Sequence, residues 1–262
     1  MSIETAPAVA STAVGDAVPA ISIEGLGKRF DRRGPLVLDG VNLKVAQGEF
    51  VCLLGASGSG KSTVLNIVAG LDAATVGRVT VPSGPAAVMF QDSALLPWLS
   101  ARRNIELALK LGGVRREDRT PRALELLDLV RLGHATEKRP HELSGGMRQR
   151  VALARALAQD RDVLLMDEPF ASLDAITRDL LHSELERIWR ATGRTIVFVT
   201  HNVREALRLG QRIVLLSSRP GSVAAEWIVP RTADGGVDPH TAIRLDEEIT
   251  GRLRWELRQN VG

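Results

Sequence analysis

The chain is short of the residues that staple, anchor or leash a protein. It has a single cysteine, Cys52, so no intrachain disulfide and no cysteine-rich zinc site is available. Tyrosine is absent and aromatic residues make up only 3%. The apolar runs, such as Val163 to Met166, Ile196 to Val199 and Ile213 to Leu216, have the length of strands. A membrane-spanning helix needs roughly 20 apolar residues, and none is expected here. No Lys or Arg precedes Lys28, whereas Glu4 and Asp16 do, so the basic start of a secretory signal is missing. One sign of charge does not dominate either. Lys plus Arg number 34 and Asp plus Glu 31, a net charge of +3, too weak to argue for nucleic acid as a partner.

What is present is an ordinary globular composition over 262 residues, 44% hydrophobic and 25% charged, which excludes a disordered chain. Glycine is abundant, at 24 residues, as expected where backbone must come close to a group such as phosphate. Residues 1–20, rich in Ala, Ser, Thr and Pro, read as a disordered tail. Short alternating patterns at Ile21–Glu24 and Leu36–Val45 read as strands joined by a turn around Arg32 to Pro35. Phe50–Leu54 is continuously apolar and reads as a strand buried on both faces. Ala86–Phe90, Val163–Met166, Thr195–Val199 and Arg212–Leu216 read as further short strands. Helical periodicity appears at Lys61–Ala69, Ala101–Leu111, Arg122–Val130 and Ser144–Ala158, and a long helix follows Leu173. That long helix carries Leu173, Ile176, Leu180, Leu181, Leu185 and Ile188, a stripe expected to face the sheet. Leu245, Ile249, Leu253 and Leu257 recur every four residues near the end, on a helix either docked on the body or free to meet a partner. The fold class expected is α/β: a phosphate-loop nucleotide-binding core with an antiparallel β subdomain, an inserted helical subdomain over about 92–158, and a C-terminal loop and helix over 231–262.

Two stretches carry chemistry on their own terms. Gly55-Ala56-Ser57-Gly58-Ser59-Gly60-Lys61-Ser62 follows a strand, opens a helix, and fills the pattern GxxxxGK[ST]. The backbone from Gly55 through Ser57, Gly58 and Gly60 can turn its N–H groups toward phosphate oxygens, and the helix N-terminus adds its positive end. Lys61 would reach the β- and γ-phosphates, Ser62 would offer a hydroxyl to Mg²⁺, and Thr63 would help hold the α-phosphate. Val163-Leu164-Leu165-Met166-Asp167-Glu168 ends a buried strand in two carboxylates. Asp167 suits the second Mg²⁺ anchor, and Glu168 suits the general base for an attacking water. Alone, this pair could be a solvated loop; beside a phosphate loop it points to hydrolysis of a nucleoside triphosphate.

Leu143-Ser144-Gly145-Gly146-Met147-Arg148-Gln149 begins an Arg-rich helix with Ser144 as N-cap. At this stretch the chain resembles the ATP-binding-cassette (ABC) ATPases, whose signature reads LSGGQ, with Met147 standing where Gln is usual. The resemblance covers residues 21–230 and implies further roles. Gln91 matches the glutamine loop, contacting Mg²⁺ and the attacking water. Ala171-Ser172-Leu173-Asp174 matches the loop that crosses the dimer interface. His201 matches the switch histidine that contacts the γ-phosphate. Phe30 stands where the family places an aromatic residue against adenine, the alternative being a core position. The resemblance also implies a head-to-tail pair, a homodimer or a heterodimer, with each ATP closed between one phosphate loop and the other chain's Ser144, Gly145 and Gly146.

Gln91-Asp92-Ser93-Ala94-Leu95-Leu96-Pro97-Trp98 and Ser218-Arg219-Pro220-Gly221 look like the nitrate/sulfonate/taurine importer group of that family. This implies an importer subunit for a small anion or organosulfur solute. It would sit peripherally on the cytoplasmic face of a bacterial inner membrane. Its partners would be a separate integral membrane permease and, indirectly, an extracytoplasmic solute-binding protein. Leu95, Leu96 and Trp98 would form the permease contact, unless Trp98 fills a groove between subdomains. Two other readings stay open at this level: a cassette ATPase not coupled to transport, and an adaptor that binds ATP without turnover. Cys52 reads as a buried small hydrophobe, and His134, His141, His182 and His240 show no metal-ligand spacing.

Overall fold

A computed structural model describes residues 18–31, 33–218, 220–232 and 235–259. Residues 1–17 of the tail expected over 1–20, and the expected features at Arg32 and Arg219, lie outside them. The chain is already anchored at Ala20, which is buried and donates its N–H to the Val45 carbonyl.

Two sheets form. The first is three-stranded and antiparallel, in the order β2 (Leu38–Val45), β1 (Ile21–Lys28), β4 (Val76–Thr80). The second has six strands in the order β5 (Ala87–Met89), β6 (Val163–Asp167), β7 (Thr195–Thr200), β3 (Phe50–Gly55), β8 (Arg212–Leu216), β9 (Val223–Ile228). All pairs in it are parallel except β8 with β9. Strand β3 lies between β7 and β8, which explains why every residue of it is buried. Its period of two divides the core. Phe50, Cys52 and Leu54 join the helices on one face, while Val51 and Leu53 join the antiparallel sheet on the other.

Helix α1 (Lys61–Val68) follows β3 directly. Helices α2 (Ala101–Leu111), α3 (Arg116–Leu129) and α4 (Gly145–Leu157) are inserted between β5 and β6. Helix α5 (Ala175–Thr192) links β6 to β7, and α6 (Val203–Leu209) links β7 to β8. Helix α7 (Pro239–Gln259) docks on the body through Leu245 and Ile249, both buried, and Glu248 accepts a hydrogen bond from the Trp227 indole at 2.8 Å.

Three differences from the sequence reading have physical causes. Helix α3 begins six residues before Arg122, because Glu117 and Asp118 complement its N-terminal dipole and Pro121 is accommodated inside it. Strands β4 and β9 went unnamed: β4 is largely exposed, and β9 is an antiparallel edge with a partly exposed pattern. Of the apolar stripe on α5, Leu181, Leu185 and Ile188 are buried, whereas Ile176 and Leu180 face outward. Those two residues lie on the side of the helix away from the buried face.

Glycine at 221 braces the fold beneath the phosphate loop. Its N–H donates to the Val37 carbonyl, and its carbonyl accepts from Asp39. A Cβ there would stand 2.2 Å from the Ser59 backbone oxygen and 3.1 Å from the Leu38 side chain. Backbone cannot yield as a flexible side chain can. Gly221→Ala is expected to cost roughly 1–3 kcal/mol in stability by denaturant unfolding, because overpacking forces backbone to shift. An unchanged midpoint would contradict this brace.

Candidate functional site

The parallel register gathers the chemistry on one edge. Leu54 pairs with Thr200, and Asp167 with Val199. The chain therefore leaves β3, β6 and β7 side by side at their C-terminal ends, where ligands bind in open α/β sheets. The loop from Gly55 to Gly60 leaves the first strand, Glu168 the second and His201 the third.

The loop is built around glycine and an uncapped helix. Gly58 and Gly60 have φ of 81° and 88°, the left-handed region that favours glycine. Gly60 also lies where a Cβ would strike the Leu38 side chain at 2.5 Å. It occupies the N-cap of α1 and offers no side-chain cap. The first N–H groups of that helix are thus the kind that anions satisfy. Ser57 and Ser62 are exposed, Thr63 is half-buried, and the buried Ser59 hydroxyl has no hydrogen-bond partner.

Lys61 is only 5% exposed. Its Nζ donates to the Gly55 carbonyl at 2.9 Å and to the Ala56 carbonyl at 2.8 Å, which holds the ammonium over the loop. Burial lowers its pKa, against the opposing charges of Glu168 and Asp167. Burial raises the pKa of Asp167, against a hydrogen bond from the Ser62 hydroxyl; Glu168 adds to the rise and Lys61 opposes it. Ser62 and Asp167 thus bring a hydroxyl and a carboxylate oxygen together, an all-oxygen donor pair of the kind Mg²⁺ prefers, its other positions going to phosphate and water. Among the described residues no cluster of three His, Cys, Asp or Glu could hold a metal by itself.

Glu168 is positioned by strain and by a partner. Its φ is 43°, uncommon for a residue with a side chain. Its N–H donates to the Val199 carbonyl at 3.1 Å. One carboxylate oxygen lies 2.9 Å from His201 Nδ1. Two side chains far apart in sequence thus meet at the strand ends.

Ser144, Gly145 and Gly146 lie elsewhere on the chain. Ser144 caps α4 by accepting the Met147 N–H at 3.3 Å. A Cβ on Gly146 would stand 2.4 Å from the Thr177 side chain, and one on Gly145 3.3 Å from Leu173. The glycines let α4 close against α5 and the loop that precedes it. Among the described residues no hydrogen bond joins this segment to the phosphate loop. Asp174 caps α5 by accepting the Thr177 N–H at 3.0 Å, and that bond holds its carboxyl below the usual range.

Phe30 is 69% exposed rather than core, with Lys28 Nζ 4.9 Å from its ring centroid. Gln91 is exposed beside a cavity of about 390 Å³ that also touches Gly145, Arg148 and Ser172. Trp98 is 66% exposed and fills no groove, whereas Leu95 packs against the core. A larger cavity, about 950 Å³, lies away from these motifs between α5, α6 and α7. Several of its arginines are committed inside the protein; Arg208, for example, pairs with Asp179 at 2.8 Å.

Sequence reasoning missed the residues that hold the segment after Gln91. The buried Gln149 side chain donates to the Gln91 carbonyl at 2.8 Å. Arg155 donates to the Ser93 and Ala94 carbonyls at 2.7 and 2.6 Å. Ala94 has φ of 44°, so this turn is strained as well as clamped. Gln149 and Arg155 lie six residues apart on α4, a spacing that carries no motif.

The parallel sheet, the glycine loop and the carboxylates at the strand ends define a phosphate-loop nucleotide-binding protein. Residues 38–171 match the family described as ABC transporter. The chain is 41% identical over 260 residues to the taurine import ATP-binding protein TauB of Jannaschia sp. (strain CCS1), covering 92% of this chain and 96% of that one. It is 43% identical over 237 residues to the nitrate import ATP-binding protein NrtD of Synechocystis sp. (strain ATCC 27184 / PCC 6803 / Kazusa), covering 87% of this chain and 89% of that one. A dimeric ATP-binding cassette solved in a post-hydrolysis state with ADP and Pi superposes with a TM-score of 0.70 at 33% identity, over 81% of this chain and 100% of that chain. The chain belongs to the ABC transporter family, and its fold is that of the ABC ATPases.

Arg155→Ala should release the turn after Gln91. Hydrogen exchange across residues 92–98 is expected to quicken by about tenfold, the loss of charge-assisted bonds worth ~1.5–3 kcal/mol being only partly repaid by water. Unchanged exchange there would show that the turn does not depend on this clamp.

Proposed function

We propose that the chain is the ATP-hydrolysing subunit of an importer for a small anion or organosulfur solute of the nitrate, sulfonate or taurine type. One observation carries the enzymatic part: Glu168 and His201 meet at 2.9 Å beside the loop that holds Lys61. The kinship to taurine and nitrate import proteins over most of the chain supports the transport part.

Each residue has work in that reaction. The N–H groups of the loop from Gly55 to Thr63 bind the phosphates, and Lys61 places its charge on the β- and γ-oxygens. The exposed face of Phe30 receives the adenine. Ser62 and Asp167, with Gln91 nearby, are the residues that would hold Mg²⁺, which when bound neutralises charge on the phosphates. Glu168 accepts a proton from water as the water oxygen bonds to the γ-phosphorus, and the bond to the ADP oxygen breaks. His201 orients Glu168 and contacts the γ-phosphate. Ser144, Gly145 and Gly146 of a second ATPase subunit close over the same ATP, and Asp174 lies on the loop between the two sites. The second subunit is another copy of this chain or a related one.

No helix among the described residues is long and apolar enough to cross a membrane. The kinship to import ATP-binding proteins supports passage of the solute through a separate permease, met by the exposed Trp98 and its neighbours after Gln91. In this account the chain works on the cytoplasmic face of a bacterial inner membrane, with an extracytoplasmic solute-binding protein supplying the permease. No nucleic acid takes part.

Glu168→Gln keeps the shape of the side chain and removes the base. Phosphate release at saturating Mg-ATP is expected to fall by about 10²–10⁴, the usual worth of a general base, with ATP affinity within about twofold. Membranes from the native cell, extracted gently with this variant and Mg-ATP, should yield a multi-helix permease on pull-down. Undiminished turnover would remove the assignment of the base, and soluble partners alone would favour a cassette ATPase outside transport.

A further inference from the structure

The residues around the switch histidine form a second network that the reaction does not use directly. Thr200, buried at the end of β7, donates its hydroxyl to Glu205 Oε2 at 2.5 Å. The same hydroxyl oxygen accepts the Asn202 N–H at 3.0 Å. Asn202 in turn caps α6, accepting the N–H groups of Arg204 and Glu205 at 2.9 and 3.3 Å. His201 lies between two residues that each bond to Glu205, Thr200 through the Glu205 carboxylate and Asn202 through the Glu205 N–H.

The other oxygen of Glu205 faces α5. It lies 3.4 Å from His182 Nε2 and 3.6 Å from Arg178 Nε, ion-pair distances with imperfect hydrogen-bond alignment. Arg178 also donates through a terminal nitrogen to the Leu173 carbonyl at 2.7 Å. Leu173 belongs to the loop 171–174 and touches the position where Gly145 would carry a Cβ. The buried His182 ring packs edge-on to Phe170, two residues after Glu168, with centroids 5.6 Å apart. A continuous chain of contacts thus runs from the loop at Leu173, through Arg178 and Glu205, to Thr200 and the switch histidine.

Glu205 is only 11% exposed at its side chain. Burial by itself would push its carboxyl up, but the nearby His182 ring, the hydrogen bond from Thr200 and the charge of Arg178 outweigh it, holding the pKa below the usual range. A buried carboxylate is costly unless paired on all sides, and this one is paired on two elements at once.

We infer that Glu205 is a positioning residue for ATP hydrolysis: it holds His201 against Glu168 and, through Arg178, ties that placement to the loop 171–174. This rests on the proposed ATPase reading. It adds a residue outside every recognised motif and a physical route between the loop and the histidine. When loop 171–174 shifts, the Leu173 carbonyl carries Arg178 with it, and Glu205 loses or gains the charge that keeps it on Thr200.

The test uses the full chain with Glu205→Ala, Glu205→Gln and Arg178→Ala. In Glu205→Ala, kcat is expected to fall roughly ten- to hundredfold, the scale of a small misplacement of a reacting group, with KM for ATP within about twofold. Glu205→Gln keeps an oxygen for Thr200 but loses the charge facing Arg178, and should recover part of the rate. Arg178→Ala should lower kcat as well, and the double alanine variant should be no slower than Glu205→Ala alone, because the two act in one network. Amide exchange at Asn202 is a second readout that does not depend on turnover, and it should quicken in Glu205→Ala. A wild-type chain without ATPase activity would contradict the functional reading, while the exchange at Asn202 would still decide the clamp. Unchanged kcat together with unchanged Asn202 exchange in Glu205→Ala would overturn the inference. So would a Glu205→Gln variant as impaired as Glu205→Ala, or fully additive losses for Arg178 and Glu205.

Discussion

Parallel pairing of β3 with β7, and of β7 with β6, is the constraint on which the rest of the site depends. The pairings of Leu54 with Thr200 and of Asp167 with Val199 bring three strand ends to one edge. Each end then turns in its own way. β3 runs into glycines and an uncapped helix, β6 into a glutamate with φ of 43°, and β7 into a histidine between two hydrogen-bonded neighbours. A slip of one residue in either register would turn the buried residues of these strands to the wrong face. Because one face of these strands packs on the helices and the other on the antiparallel sheet, the fit of side chains to each layer holds the register, and the catalytic geometry is a by-product of packing.

The same packing sets the electrostatics. Lys61 and Asp167 are drawn partly out of water by the strands and helix that carry them, and burial shifts each toward its neutral form. Nearby opposite charge resists both shifts. A site so poised gains when a polyanion and a divalent cation enter together, since each supplies the countercharge that the other half lacks. The glycines of α4 solve a different problem. They allow close approach to α5 and to the loop before it, so that the Ser144 segment and the loop 171–174 form one rigid shoulder apart from the phosphate loop. On this account the shoulder meets the nucleotide of a second subunit, and binding of ATP shifts the balance between open and closed pairs.

Much of this was legible in the sequence. The phosphate loop, the acidic strand end and the helix starting after Ser144 are local patterns, and local patterns are what a sequence displays. The boundaries of α2 and β8 could be read to the residue, because Ser100 caps the first and a buried apolar run defines the second. Exposure was harder. Ile176 and Leu180 follow the three- and four-residue spacing of the apolar residues before Leu181, yet they lie about 100–140° round the helix from it, off the face that Leu181, Leu185 and Ile188 bury. Strand β4 lacked a burial pattern, so it could be identified only through its partner β1. Arg155, Arg178 and Glu205 belong to no motif read in the sequence, and for Gln149 and Gly221 the motif stretches that contain them do not show the contacts they make. Their roles come from contacts between residues far apart in the chain, such as Arg155 with Ser93 and Gly221 with the phosphate loop.

The central claim is that the ATP site is completed by a second subunit through Ser144, Gly145 and Gly146. Sedimentation velocity of the Glu168→Gln chain, with and without Mg-ATP, tests it most directly when repeated with Ser144→Arg added. The account predicts a monomer that becomes a dimer on addition of Mg-ATP, and no such dimer once arginine replaces Ser144. A chain that stays monomeric with Mg-ATP bound would contradict it, as would a dimer indifferent to both ATP and Ser144→Arg.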